Sequence, residues 1–351
     1  MRRLSKMVRD KVKVLIAFRL APNLVQRIAG LDPRVEVLYE PALLGAPRYA
    51  TDHAAPVERS PAEERRWQDL LAQAEVMFGF DYTHLDDLIE VAPSLKWVQG
   101  TSTGIGQAVK TWGWAESDIV FTTARGVHSG PLAEFCVMAM LMFVKDAFRM
   151  AAEKERKHWE RYAGTELRGK TLAVISLGSG GQAVARRARC LGMRVIGTKR
   201  TIKGFEPTSL GVEELYPWTD LDPMLARADF IVLYLPHTPE TEGLIGEHEL
   251  SVMKEGAVLI NVARGAIWDE GHVIQALERG HLGGVASDVF AEEPLPETSP
   301  LWEMPNVIIS PHSASAAASE NAKLTELFCE NLDRYLADRP LKNVLDVDRL
   351  Y

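Results

Sequence analysis

Residues 171–200 read TLAVISLGSGGQAVARRARCLGMRVIGTKR, and this stretch decides the fold. The apolar run Thr171 to Leu177 fits a strand buried on both faces, the glycines after it mark a tight turn, and an amphipathic helical stretch leads to a second strand at Arg194 to Thr198. Strand, glycine turn, helix and strand open a βαβ unit. In a G-x-G-x-x-A frame, Gly178 permits the turn, Gly180 lets backbone approach a pyrophosphate, and Ala183 keeps the helix close to the strand. The helix N-terminus adds free N–H groups and a positive dipole. Dinucleotide binding is the implied function of this turn.

In the NAD-selective form of this turn an acidic side chain about 20 residues further on accepts hydrogen bonds from the ribose hydroxyls. Here the second strand ends in Lys199 and Arg200. Two cations cannot accept those bonds, but they can pair with a 2′-phosphate, arginine through two donors at once. NADP is therefore expected ahead of NAD.

Outward from this unit, strand-like runs alternate with helical patterns, the signature of parallel sheets covered by helices. One set comprises Val12 to Phe18, Arg34 to Tyr39, Val76 to Phe80, Leu95 to Gln99 and Ile119 to Thr123. Ser60, Pro61 and Glu63 fit the N-cap, N1 and N3 positions of a capping box between the second and third. The other set is Thr171 to Leu177, Arg194 to Thr198, Phe230 to Leu235, Ala257 to Asn261, Gly284 to Val289 and Val307 to Ser310. A long helical stretch from Pro131 to about Tyr162 bridges the two sets, and Gly280 stops a helix over Glu270 to Arg279. A last helix, from about Ala316 to Leu336, is too short to be its own domain and is expected to cross back. The predicted fold class is α/β with two open parallel-sheet domains. A Rossmann-type dinucleotide-binding domain, residues 126–315, is inserted into a flavodoxin-like substrate domain, residues 1–125 and 316–351.

The length of 351 residues suits two such domains, and 46% hydrophobic with 25% charged residues is a globular composition. A net charge of -8 gives no electrostatic reason to bind nucleic acid. The one basic cluster, Arg2, Arg3, Lys6, Arg9, Lys11 and Lys13, reads as a solvated terminal arm. The longest apolar run, Phe135 to Val144, is about half of a bilayer span and reads as a buried helix, so no membrane partner is expected. No secretory signal follows the basic arm, and Cys136, Cys190 and Cys329 lack metal spacing. A reducing, cytoplasmic setting is expected, with cysteine as core filler and no metal site.

Ligands of open α/β sheets bind outside the carboxyl ends of the strands. Arg264 follows the strand ending at Asn261, Asp288 ends the next with Glu293 five residues beyond, and His312 follows the last. Reducing a 2-oxo acid needs a cation on the carboxylate and carbonyl, a hydride donor, and an acid for the emerging alkoxide. Arg264 offers the planar fork, His312 the acid or base, and Glu293 can orient the imidazole and favour its charged form. Asp288 stands where it can bind a nicotinamide carboxamide or position the ring. In the other domain, Ser102, Thr103 and Gly104 lie in a loop after a strand end, where backbone amides can form a nest for the substrate carboxylate. His128 is read as a helix cap or a site-lining residue, and His237 as a contact to cofactor phosphate.

The segments LKWVQGTSTGIG, LPHTPETEGLIG, VLINVARGAIWDE, SDVFAEEPLP and NVIISPHSA, with the glycine turn, resemble the D-isomer-specific 2-hydroxyacid dehydrogenase family over Leu95 to Ala314. The resemblance implies Arg264 for substrate binding, His312 as proton donor and Glu293 as its partner. It also implies cofactor contacts at Gly181, Gln182, Leu235, Pro236, Thr241, Val262, Ala263, Arg264 and Asp288. A homodimer joined through the region after Pro131 is the usual assembly. Lys199 in place of an acidic residue resembles the glyoxylate and hydroxypyruvate reductase branch, and the missing regulatory domain of many phosphoglycerate dehydrogenases argues against serine biosynthesis. Two positions depart from the family: Gly106 stands where Asp is common and His128 where Asn is common.

The expected activity is therefore hydride transfer between NAD(P)H, with NADP preferred, and a small 2-oxo or D-2-hydroxy acid, foremost the reduction of glyoxylate or hydroxypyruvate. Two alternatives use the same scaffold. One is a dinucleotide sensor that binds proteins, as the C-terminal binding protein corepressors do; the other is oxidation of formate or phosphite.

Overall fold

The computed structural model describes residues 11–350, so Arg2, Arg3, Lys6 and Arg9 of the basic arm lie outside the described residues. Its contacts divide the chain into two compact units: residues up to Val127 with those from Ala317 onward, and His128–Ala316. Each unit has one sheet, and every strand pairing in both sheets is parallel.

In the first unit the strands are β1 (Val12–Ile16), β2 (Val35–Leu38), β3 (Val76–Phe78), β4 (Trp97–Gln99) and β5 (Val120–Thr122), ordered β2-β1-β3-β4-β5. This is the flavodoxin-like order. β3 and β4 are buried at every position, as expected when helices cover both faces. The helix Pro61–Gln73 covers one face, opened by the expected capping box of Ser60 and Glu63. The helix Glu320–Leu336 covers the other, stacking Phe328 at 4.4 Å from Phe78 and 5.2 Å from Trp97. The returning segment thus completes the core of this unit. That helix begins at Glu320 rather than near Ala316 because residues 316–317 are irregular and 318–319 form a turn.

The second unit contains β6 (Thr171–Ile175), β7 (Arg194–Lys199), β8 (Glu214–Pro217), β9 (Phe230–Leu233), β10 (Ala257–Asn261), β11 (Leu282–Ser287) and β12 (Val307–Ile309), ordered β12-β11-β10-β9-β6-β7-β8. The direction of winding reverses between β6 and β9, so a ligand-binding crevice is expected at their carboxyl ends. That is the Rossmann arrangement.

Several sequence expectations are corrected. The stretch after Pro131 is not one helix but two, Ser129–Val144 and Ala147–Glu155, broken where Asp146 takes φ 56°. The apolar run Phe135 to Val144 is buried along one side only, since Met138 and Leu141 are exposed. Among the described residues no helix is long and apolar enough to cross a membrane. β8 has no counterpart in the expected strands: it is an edge strand, half-buried, carrying Glu214 and ending in Pro217, so it lacks an apolar run. Cys136 and Cys329 are buried, but Cys190 is exposed at a helix end and fills no core.

The turn after β6 sets where the next helix starts and how closely it packs. The strand stops at Ile175, two residues before the apolar run does, because Ser176 adopts φ 80°. Its N–H donates to Thr198 Oγ1 at 3.0 Å, and Leu177 N–H to the Thr198 carbonyl at 2.8 Å, tying the turn to β7. Gly178 is the helix N-cap, with φ -72° and open space where a Cβ would stand. A Cβ on Gly181 would overlap the Ser176 carbonyl oxygen and lie 3.1 Å from the Val174 side chain, so this glycine sets the closest helix–strand approach. A Cβ on Gly180 would overlap the Tyr234 ring. The glycine roles therefore sit two residues earlier than the sequence frame puts them: Ser176 makes the tight turn, Gly178 leaves backbone open, and Gly181, not Ala183, permits close packing. Accordingly, Gly181→Ala is expected to destabilise the protein by about 1–3 kcal/mol through overpacking, whereas Gly178→Ala leaves thermal unfolding nearly unchanged. Equal melting shifts in the two variants would contradict this assignment.

Candidate functional site

The first intrahelical hydrogen bond after β6 runs from Gln182 N–H to the Gly178 carbonyl at 3.0 Å. The amides of Ser179, Gly180 and Gly181 therefore precede the ladder, at the positive end of a helix twelve residues long. Gln182 does not project outward; its Nε2 folds back to the Leu177 carbonyl at 3.1 Å and braces the turn. These features suit the diphosphate of a dinucleotide: open backbone at Gly178, unpaired helix amides, and no carboxylate within the turn.

At the end of β7, Lys199 is half-buried, with Nζ 4.6 Å from the centre of the Phe205 ring, and Arg200 is exposed, with Nη2 3.2 Å from Glu240 Oε2. Glu240 belongs to the turn after β9. Within that turn Thr241 is buried, donating from Oγ1 to the Pro236 carbonyl at 2.8 Å and accepting from Thr238 N–H at 2.9 Å. Leu235 is half-buried and Pro236 exposed on the same turn. His237 pairs with Glu242 at 3.4 Å, which is the one polar contact its ring makes among the described residues.

After β10, Asn261 organises the turn from within. Its Oδ1 accepts from Ala263 N–H at 3.0 Å and its Nδ2 donates to the Arg264 carbonyl at 3.1 Å. Val262 and Ala263 are buried, whereas Arg264 is half-buried and donates from Nη1 to the Ala263 carbonyl at 2.7 Å. Its guanidinium makes no ion pair among the described residues. Burial draws its pKa down, opposed by the fields of Glu293 and Asp288. Gly265 lets this turn close on the next loop, because a Cβ there would overlap the Phe290 carbonyl.

Asp288, immediately past β11, is buried. Its Oδ1 accepts from Ser310 Oγ at 2.6 Å, Ser313 N–H at 2.8 Å and Ala314 N–H at 2.8 Å. Burial raises its pKa, with these three donors pulling the other way. The same residue's carbonyl accepts from His312 N–H at 2.9 Å, and His312 takes φ 51° between the bonded positions. The imidazole then points its Nδ1 at Glu293 Oε2, 2.7 Å away. Burial alone would raise the Glu293 pKa, but the bonds from His312 and from Phe290 N–H, with the charge of Arg264, hold it below its ordinary value. An ionised carboxylate only accepts, so Nδ1 carries the proton and Nε2 faces outward with no hydrogen bond among the described residues. The rim thus presents a fixed cation and an imidazole backed by a carboxylate.

In the other unit, Ser102, Thr103 and Gly104 form the exposed tip of a loop whose flanks Thr101, Ile105 and Gly106 are buried. His128 occupies the N-cap position of helix Ser129–Val144, but its side chain makes no capping bond, so the expected cap is not formed. Sequence reading missed Ser176, Asn261 and Tyr234. Ser176 lies inside the apolar run and carries no glycine to mark its turn, whereas an Asn closing a buried strand is the signal for Asn261.

The second unit matches the model of the D-isomer specific 2-hydroxyacid dehydrogenase NAD binding domain over residues 137–314. The glyoxylate reductase of Thermococcus litoralis is 34% identical over 278 residues, covering 75% of this chain and 81% of that one. The D-3-phosphoglycerate dehydrogenase of Methanocaldococcus jannaschii is 33% identical over 266 residues, 75% of this chain but only 50% of the relative, so this chain spans about half of that protein's length. Among solved structures, the NADPH-dependent glyoxylate/hydroxypyruvate reductase of Sinorhizobium meliloti, crystallised with NADP and sulfate, superposes with a TM-score of 0.78 at 27% identity, covering 97% of this chain and 100% of that one. On the family-model match and on relatives of this identity and coverage, the chain belongs to the D-isomer-specific 2-hydroxyacid dehydrogenases, a family of nicotinamide-dependent oxidoreductases.

Proposed function

We propose that the protein reduces a small 2-oxo acid, glyoxylate or hydroxypyruvate, to the D-2-hydroxy acid with NADPH. The observation that carries this reading is the His312–Glu293 pair standing with Arg264 at the ends of neighbouring parallel strands. A nicotinamide held at this site would supply the hydride for the carbonyl carbon and would itself be oxidised. Arg264 holds the carboxylate and polarises the carbonyl oxygen, and its partial burial strengthens that pull. As the carbonyl π pair moves to oxygen, the outward Nε2–H of His312 delivers the proton that completes the hydroxyl. Glu293 balances the imidazolium charge before transfer and fixes the ring plane throughout. Asp288 holds the loop that carries His312, leaving Oδ2 for the cofactor carboxamide. The amide-bearing tip Ser102–Gly104 receives the substrate carboxylate.

Gly178, Gly181 and the first helix amides are assigned to the diphosphate, with Gly180 and Gln182 shaping the turn. Lys199 and Arg200 are assigned to the 2′-phosphate, and Leu235, Pro236, Thr241, Val262 and Ala263 to the remaining cofactor surface. The solved relative from Sinorhizobium meliloti, described as NADPH-dependent, supports the same cofactor choice. Charge-assisted hydrogen bonds of about 1.5–3 kcal/mol correspond to roughly tenfold selectivity or more. Glyoxylate or hydroxypyruvate should therefore be reduced at least about ten times more efficiently with NADPH than with NADH. Equal or reversed efficiencies would remove the NADP assignment and leave the reaction class intact.

His312→Ala is expected to lower kcat by about 10² or more, the ordinary weight of a general acid. Near-normal turnover would place the proton donor elsewhere. The protein is also proposed to be a homodimer, because Met138, Leu141 and Met150 are exposed on the two helices after His128 and Trp159 just beyond them is 94% exposed. Light scattering should return about twice the chain mass, and Leu141→Glu should shift it toward the single-chain value; a single-chain mass for the unaltered protein would exclude the dimer.

A further inference from the structure

The loop at residues 100–106 is short and its tip is solvated, so something must hold it. Its first flank is secured by the sheet: Gly100 N–H donates to the Thr122 carbonyl at 2.8 Å, and Ala124 N–H donates to the Ser102 carbonyl at 3.0 Å. Ile105 then tucks beneath, close enough that a Cβ on Gly100 would lie 3.0 Å from its Cδ1. The second flank, Gly106, is held by a different part of the chain. A Cβ on Gly106 would overlap the Leu350 carbonyl oxygen and come within 2.6 Å of the Leu350 Cα.

Residues 343–350 reach that position along a defined path. Thr123 N–H donates to the Asn343 carbonyl at 2.9 Å, Leu345 N–H donates to the Phe121 carbonyl at 2.8 Å, and Val344 forms an antiparallel bridge with Thr122. The segment thus pairs briefly with β5, an edge strand of the first sheet. Asn331 anchors its start from the last helix, accepting from Lys342 N–H at 2.8 Å and donating to the Lys342 carbonyl at 3.1 Å. Leu345 and Leu350 are buried, and Arg349 N–H donates to Asp346 Oδ1 at 3.0 Å to close the turn between them. Two buried leucines therefore flank the backbone that lies against Gly106, where the absence of a side chain leaves room for it.

We propose that residues 343–350 are a positioning segment for substrate binding: the Leu350 backbone, seated on Gly106, fixes the amides of Ser102–Gly104 in the arrangement that receives the substrate carboxylate. This rests on the reading that the loop binds that carboxylate. It gives a physical reason for Gly106, since any side chain there would occupy the space of Leu350. Every residue assigned to the cofactor lies in the other unit, so the effect expected of this segment is on the acid.

Two variants break the contact from opposite sides. Gly106→Ala inserts a Cβ into the Leu350 backbone, and Leu350→Asp lifts the segment by placing a charge in an apolar seat without altering the loop. In steady-state assays with NADPH, both should raise the KM for glyoxylate by about tenfold or more, change kcat by less than about threefold, and leave the NADPH dissociation constant, read by fluorescence, unchanged. Hydrogen exchange at the amides of residues 101–105 should accelerate in both. Unchanged exchange in both variants would overturn the seat itself, and faster exchange with an unchanged KM, or a parallel loss of NADPH affinity, would overturn its role in substrate binding. If the unaltered protein reduces no 2-oxo acid, the proposed reaction falls, while the exchange measurement still decides whether Leu350 holds the loop.

Discussion

One buried carboxylate oxygen holds the segment that carries His312 in place. Asp288 Oδ1 gathers Ser310 Oγ and the N–H groups of Ser313 and Ala314, so the segment after β12 is fastened to the end of β11. An unpaired carboxylate in that position would be strongly disfavoured, and three donors to one atom are what make its burial tolerable. The consequence reaches His312, which sits inside the bonded stretch at φ 51° and has its own N–H on the Asp288 carbonyl. The imidazole is therefore oriented by main chain before Glu293 takes hold of Nδ1. A flexible loop would leave the ring free to turn, whereas here both its anchor and its plane are fixed.

A second set of constraints works through absent side chains. Gly181 lets the helix meet the Ser176 carbonyl, Gly265 lets the Arg264 turn close on Phe290, and Gly106 admits the Leu350 backbone. Each is a place where two stretches of main chain come closer than a methyl group allows. Such contacts transmit position with little slack, because backbone has no rotamers through which to relax. Arg264 inherits its placement from the Gly265 approach and the Asn261 staple, and His312 from the Asp288 staple.

The fold was largely legible in the sequence for a simple reason. Central parallel strands buried on both faces appear as continuous apolar runs and most edge strands keep enough apolar residues to be seen beside them, so eleven of the twelve strands announce themselves. β8 does not, because an edge strand with Glu214 and a closing Pro217 lacks that run. The break at Asp146 was equally hidden: the charged residues beyond it remain compatible with helix, and only φ 56° at one residue ends the first segment. Strand-end placement of Arg264, Asp288, Glu293 and His312 could be counted from the runs. Ser176 could not, since a serine in the left-handed region leaves no glycine to count from, and the frame slid forward by two. The contact between Leu350 and Gly106 joins residues far apart in the chain and left no local pattern.

Neither cation at the end of β7 waits bare. Arg200 leans on Glu240 and Lys199 rests over the Phe205 ring. An anion arriving there must exchange one partner for another, so what it gains is the difference between its own attraction and that of a solvated surface pair worth at most about 1 kcal/mol. Glu240 rides on the same turn as Thr241. An anion that drew Arg200 away would therefore take from that turn its ion pair with the end of β7, coupling the two sides of the switch point through one exposed contact.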